Sequence, residues 1–331
     1  MSPLRLAVCT SVLLGAYISA EAAAQPTSTG SGQAFPARQV RYIMPLPAGN
    51  ETDLFARVLA KQLSEGWGQQ VNVDNRPGGG TIIGTDLAAK APADGYTLFH
   101  ALTAHAINAT LFAKLPYDTL KDFSCVTQIS NFSGVLIAHP SFPVKNVKEL
   151  IALAKAQPGQ IVYATGPIGT TNHILGESLR TAAGIDIGHV PYKGGGPAIQ
   201  DLLAGRVPLV SNVVLEVLPF IRSGKVRPIA VTGPKRTASL PDVPTVGESL
   251  PNYRAGTSFW TLLTRAGTPA AVVKQLNADI VKALQSADMR ERIAQMDLEP
   301  VASTPAQCDA FLREQVSVWS LIVKASGARV D

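Results

Sequence analysis

Three glycine-containing turns carry the residues best suited to chemistry: Pro45–Asp53, Gly166–His173 and Lys193–Pro197. Each follows a short apolar run and opens a segment with helical spacing. A helix start exposes backbone N–H groups that lack intrahelical partners, at the positive end of the helix dipole. Glycine lets a ligand come close to that backbone. The chemistry on offer is anion capture without basic side chains. Leu46, Pro47, Ala48, Gly49, Asn50, Thr52 and Asp53 form one carboxylate cradle; Gly166, Gly169, Thr170, Thr171 and His173 form a second, with hydroxyls added. Each helix end contributes roughly 0.3–1 kcal/mol when exposed and up to about 2 kcal/mol when partly buried. The same turns also serve as tight connections. Asp53 and Thr171 read first as N-caps, with ligand contact secondary, and His173, standing alone, reads as a structural hydrogen-bonding residue.

Signatures of catalysis are missing. No Gly-x-Ser-x-Gly elbow or His-Glu-x-x-His pair occurs, and the five histidines have no close carboxylate or serine pairing that suggests a relay. Pro77-Gly78-Gly79-Gly80 with Gly84 has a phosphate-loop look but lacks a following Gly-Lys-Ser/Thr and misses the Gly-x-Gly-x-x-Gly spacing. It reads as a strand-to-helix turn after Val73. The expectation is a binding protein without enzyme activity, metal or cofactor. A triad dispersed along the chain leaves no local mark, so the alternatives are a secreted hydrolase on an α/β scaffold and a ligand-sensing subunit of a signalling system.

These turns need strands and helices to hold them. Apolar runs predict strands at Val40–Met44, Val71–Val73, Thr97–Ala101, Val135–Ala138, Ile161–Ala164, His189–Tyr192, Val207–Ser211, Pro228–Val231 and Phe259–Leu263. Between them lie helical patterns, such as Leu54, Phe55, Val58, Leu59 and Leu63 within Asp53–Gly66. Asn146 with Glu149 resembles a capping box, and Thr268-Pro269 and Thr304-Pro305 read as N-cap and N1 pairs. Strand–helix alternation predicts an α/β protein with parallel sheets covered on both faces. In such sheets ligands sit beyond the carboxyl ends of strands, where the glycine turns fall.

Composition bounds the rest. The 331 residues are 46% hydrophobic and 16% charged, with a formal net charge of +5. That is enough for a core, and the basic residues are scattered, which argues against a nucleic-acid partner. Arg5, the apolar stretch Leu6 to Ala20 and Ala22-Ala23-Ala24 read as a signal peptide over residues 1–24, followed by a polar, flexible leader over 25–34. A mature protein outside the cytoplasm is expected. It keeps Cys125 and Cys308, whose pairing the sequence leaves open.

From Phe35 to Gly327 the chain resembles the substrate-binding proteins of tripartite tricarboxylate transporters, the Bug or TctC-type receptors. The resemblance rests on residues 35–49 (FPARQVRYIMPLPAG), 52–57 (TDLFAR), 74–80 (DNRPGGG), 93–98 (ADGYTL), 115–118 (LPYD), 189–194 (HVPYKG), 240–246 (LPDVPTV) and 266–269 (AGTP), in that order. It implies a periplasmic binding protein type II-like fold, with two α/β domains and a ligand cleft between them. Domain 1 is then 35–128 plus 260–331, and domain 2 is 129–259. It implies a periplasmic monomer that captures a small carboxylate and hands it to membrane permease subunits. Besides the two cradles it places Thr103, Ala104, the segment Tyr192–Gly195 and Asn212 in the cleft. Relatives usually carry Asp at the position of Asn212, which reads the distal part of the ligand.

The sequence departs from that pattern at Gly49-Asn50-Glu51, where a glycine run is usual, and at Ile168, where a small or polar residue is common. Glu51 about 5 Å from a bound carboxylate would cost roughly 3 kcal/mol at an effective dielectric of about 20. Either Glu51 points to solvent, or the ligand carries a cation, or the site has drifted from plain dicarboxylates. Solvent is the first expectation, and Asn212 in place of Asp argues against a cation.

Overall fold

A computed structural model describes residues 35–328. The signal peptide and leader expected over 1–34 lie outside the described residues. In chain order the elements begin with β1 (Val40–Met44), α1 (Glu51–Trp67), β2 (Val71–Asn75), α2 (Ile82–Ala89), β3 (Thr97–Leu102), α3 (Thr103–Leu111) and β4 (Phe123–Phe132). They continue with β5 (Gly134–Ala138), α4 (Val147–Ala156), β6 (Val162–Thr165), α5 (Thr171–Ala183), β7 (Gly188–Pro191), α6 (Gly195–Leu203), β8 (Leu209–Val213), α7 (Val214–Arg222) and β9 (Arg227–Val231). The last are α8 (Val246–Ser249), β10 (Ser258–Arg265), α9 (Ala270–Leu284), α10 (Ala287–Gln295), β11 (Glu299–Pro300) and α11 (Pro305–Ser326).

The strands form two sheets, ordered β11-β4-β10-β3-β1-β2 and β7-β6-β8-β5-β9. One side of each is parallel, edge strand included: β2, β1 and β3 in one, β7, β6 and β8 in the other. The all-parallel expectation fails at β10, β4, β11, β5 and β9, which pair antiparallel. The cause is the chain path. It leaves the first sheet after β4, builds the second, and returns through β10 to pair between β3 and β4. The departure lies at Ser133, because β4 runs on to Phe132 past the expected boundary at 128/129.

β4 mixes apolar Phe123, Cys125, Val126, Ile129 and Phe132 with polar residues and has no continuous apolar run. Its Thr127, Gln128 and Ser130 are buried polar residues, satisfied in part by Ser303: Thr127 Oγ1 donates to Ser303 O at 2.8 Å, and Ser303 Oγ accepts from Gln128 N at 2.9 Å. Cys125 on this strand is bonded to Cys308 on α11, with Cα atoms 5.7 Å apart. The helix α11 also packs against α3 and α5. One apolar cluster therefore runs without a gap from Phe99 and Phe123 through Trp319 to Tyr163 and Ile174, joining elements of both sheets.

Cap geometry corrects three sequence expectations. Asn50, not Asp53, caps α1, its Oδ1 accepting from Asp53 N at 2.9 Å. Thr170, not Thr171, is the N-cap of α5. Pro269 stands at the N-cap of α9, while Thr268 Oγ1 donates to Arg265 O. The capping box at Thr304 and Gln307 opens α11 with Pro305 at its first turn.

Candidate functional site

The carboxyl ends of the parallel strands meet at a cavity of about 580 Å³. Five helices begin at its wall, represented by Glu51 and Thr52 of α1, Thr103 and Ala104 of α3, Thr171 and Asn172 of α5, Gly195 of α6, and Val214 to Glu216 of α7. A sixth approach is the turn Pro77–Thr81 ahead of α2. Apolar side chains fill in between, chiefly Leu102, Phe132, Trp260, Leu215 and Leu298. Phe132 and Trp260 pack with ring centroids 5.2 Å apart.

The expected site residues divide. Leu46, Pro47, Asn50, Thr52, Thr103, Ala104, Gly166, Gly169, Thr170, Thr171 and Asn212 all line this cavity. Ala48, Gly49, Asp53, His173 and Tyr192 do not, and each of the last four has a supporting role instead. Asp53 is 1% exposed and accepts from Gly49 N at 2.8 Å, Arg57 Nε at 2.9 Å and Asn75 Nδ2 at 2.9 Å. Burial raises its pKa, but these hydrogen bonds and the Arg57 charge outweigh burial and hold its carboxyl below the usual range. His173 Nδ1 accepts from Gly169 N at 3.3 Å, tying the second turn shut from behind. Tyr192 donates to Asp201 at 2.7 Å, outside the cavity.

Beneath the second turn the rings of His173 and His189 pack with centroids 4.3 Å apart, tilted by 37°. Burial lowers the pKa of His173, partly opposed by the charge of Glu177. Burial, and then His173, push His189 down to about 4. Both are neutral near pH 7, so Nδ1 of His173 is free to accept. Gly169 takes a φ of 84°, the left-handed region that suits glycine, and its N–H can then turn back to that ring.

The donors left over are informative. At α5 the first backbone bond is Ile174 N to Thr170 O, and no side chain caps the helix; Thr170 Oγ1 donates to Pro167 O instead. At α3 no side chain caps the start either, because the N-cap is Leu102, which has no side-chain acceptor, and Thr103 Oγ1 is engaged with Phe259, accepting from its N at 2.8 Å. Neither helix has an acidic residue in its first turn. The start of α6 likewise lacks a side-chain cap and a first-turn acid, but Gly195 there lies beside the Glu216 carboxylate. The starts of α3 and α5, helices of 9 and 13 residues, therefore face the cavity with unpaired N–H groups and no carboxylate in their first turns. That is an anion-binding arrangement.

Residues 55–328 match the family described as the tripartite tricarboxylate transporter family receptor. The chain belongs to this family. Among its relatives, the receptor is 36% identical to Protein BugT of Bordetella pertussis over 321 residues, 96% of this chain and 97% of that one. Among solved structures, R. palustris Rpa4515 with adipate superposes with a TM-score of 0.80 at 33% identity, covering 88% of this chain and 98% of that one. MatC (Rpa3494) from Rhodopseudomonas palustris with bound malate gives 0.78 at 28% identity, covering 87% and 100%. The family and the structural neighbours are solute-binding receptors, not enzymes.

Several lining residues of the receptor escaped sequence reasoning. Pro77–Thr81 was taken for a connection, although its glycine run is the sign of close backbone approach. Glu216 and Asp297 gave no signal, since each sits in an ordinary helical or post-helical context. Phe132, Ser133 and Trp260 reach the cavity only because the chain crosses between sheets there.

Proposed function

We propose that this receptor captures a small carboxylate between its two sheets and passes it to membrane permease subunits. The single observation that carries the reading is the pair of uncapped helix starts, α3 and α5, directed at one cavity. A carboxylate seated there accepts from free N–H groups such as those of Thr171 and Asn172, at the favourable end of two dipoles. Relatives with adipate and malate bound support a carboxylate as the ligand class. The family's receptors work in the periplasm, and among the described residues no helix is long and apolar enough to cross a membrane. We assign the same compartment to this chain, acting as a monomer.

Capture is a closing motion of domain 1 on domain 2, with the expected boundaries at 128/129 and 259/260 moved to the sheet crossings at Ser133 and Ser258. Ser133 and the segment leading into Ser258 are its hinges. The shared cluster beneath α11 keeps the halves joined on the side away from the cavity. A panel of organic acids tests the reading: a matching acid raises the melting temperature with increasing concentration. No shift from any carboxylate, amino-substituted ones included, refutes it.

A further inference from the structure

The cavity has a second pole. Its wall contains three carboxylates, Glu51, Glu216 and Asp297, against one ammonium, the exposed Lys193. Glu51 is exposed and stands at the first position of α1; Glu216 is in the first turn of α7. A carboxylate in a first helical turn ordinarily offsets the helix dipole. Here the consequence is selective: α1 and α7 carry an acid in their own first turns and the start of α6 at Gly195 lies beside Glu216, while the first turns of α3 and α5 hold no acid.

Glu216 is fixed in place. Its Oε2 accepts from Asn212 Nδ2 at 2.8 Å, and Asn212 Oδ1 in turn accepts from Val213 N at 2.8 Å. Asn212 is 4% exposed, so this orientation is built into the wall. A Cβ on Gly195 would collide with Glu216 Oε2, and a Cβ on Gly166 would come within 3.8 Å of Gly195 N. Only the Gly194-Gly195 backbone thus separates the second turn from the Glu216 carboxylate. No arginine or lysine pairs with Glu51, Glu216 or Asp297 among the described residues. A buried acceptor in the same wall, Asn172 Oδ1, lacks a hydrogen-bond partner. Burial, opposed by the Asn212 hydrogen bond but helped by the charge of Glu51, raises the pKa of Glu216. A cation placed between the two glutamates would relieve that.

We infer that the ligand is bipolar: a carboxylate at the α3 and α5 starts, and a cationic nitrogen at the Glu51–Glu216 pole. The site thereby selects amino- or ammonio-carboxylates over dicarboxylates, whose second negative charge would face two glutamates. Asn212 does not oppose a cation, as the sequence alone suggested, because it orients Glu216 and is not itself the partner. The inference rests on the carboxylate-binding reading above.

Isothermal titration with matched pairs of equal length tests it: glutarate against 5-aminopentanoate, and adipate against 6-aminohexanoate. The wild-type receptor is expected to favour the amino acid of at least one pair by about tenfold or more. Glu51→Gln and Glu216→Gln each reduce that preference, and the double variant reverses it. Circular dichroism and an unchanged melting temperature establish that the variants fold. A wild-type preference for the diacid, or a preference that survives the double variant, overturns the bipolar assignment while leaving carboxylate capture intact. If neither member of either pair binds, mass spectrometry of ligand released from purified receptor decides. A carboxylate carrying a basic nitrogen upholds the inference, a carboxylate without one overturns it alone, and no carboxylate overturns both readings.

Discussion

The two cradles, Pro45–Asp53 and Gly166–His173, look alike in sequence and differ in what they leave open. In the first, the chain answers its own helix end: Asn50 caps α1, Asp53 takes the Gly49 N–H, and Glu51 adds a second negative charge. In the second, the acceptor for the Gly169 N–H is a neutral imidazole, no side chain caps α5, and its first turn holds no acid. A glycine turn ahead of a helix therefore does not by itself make an anion site. What decides is whether the protein has already supplied the anion. On the proposed reading the first turn is a braced wall, and the second is the seat.

The largest effect should separate the two glycines. Gly169→Val forces a branched side chain to a φ of 84° and against Leu111, whose Cδ2 would lie 3.0 Å from the new Cβ. Strain of about 1–3 kcal/mol and a displaced turn should weaken carboxylate binding by about a hundredfold. Gly49 has a similar φ of 88° but open space around it. Gly49→Val should cost comparable stability and less than about tenfold in affinity. Equal losses by titration calorimetry would erase the distinction between the turns.

Asp53→Asn comes next. It leaves Gly49 N and Arg57 without their charged acceptor, and should lower stability by about 1–3 kcal/mol. Affinity for a simple carboxylate should hold or rise slightly, since an internal competitor for the helix end is gone. A large loss of affinity would mean that the first turn holds the ligand.

Acid should separate the turns more gently. The folded pKa of His173 is lowered from 6.5, so the unfolded chain takes up protons that the fold refuses. His173's contribution is complete above pH 6.5 and is lost as pH falls from there toward its folded pKa. His189 and His105, at about 4, and His100, at about 3, add to the same slope, each by up to about 1.4 kcal/mol per pH unit. Asp53 has the opposite timing: its lowered pKa preserves the first turn until pH falls below the ordinary 3.8. Between pH 7 and 5 the melting temperature should therefore fall through the buried histidines, while Asp53 still braces the first turn. His173→Asn, which keeps an acceptor that does not titrate, should flatten that dependence. An unchanged pH profile would show that the imidazole does not govern the turn.

The sequence made many strands and the glycine turns legible because both depend on local pattern: apolar runs for β1, β3, β5 and β9, glycine at strand ends for the turns. It hid whatever depends on a distant partner. β4 interrupts its apolar residues with Ser124, Thr127, Gln128 and Ser130, and β10 and Ser303 supply partners for its backbone and for Thr127. Asp53 looked like a cap until Arg57 and Asn75 closed around it. Glu216 is unremarkable in Val-Leu-Glu-Val until the chain crossing brings α7 opposite α1. The Cys125–Cys308 bond, open in the sequence, closes a separation of 183 residues.

A crystal structure of the receptor with a bound organic acid would test the central claim most directly. The account predicts carboxylate oxygens about 3 Å from the amide nitrogens at the start of α5, Thr171 and Asn172, with α3 opposite. A carboxylate seated instead on the amides of Gly49 to Asp53, with the start of α5 left to water, would contradict it.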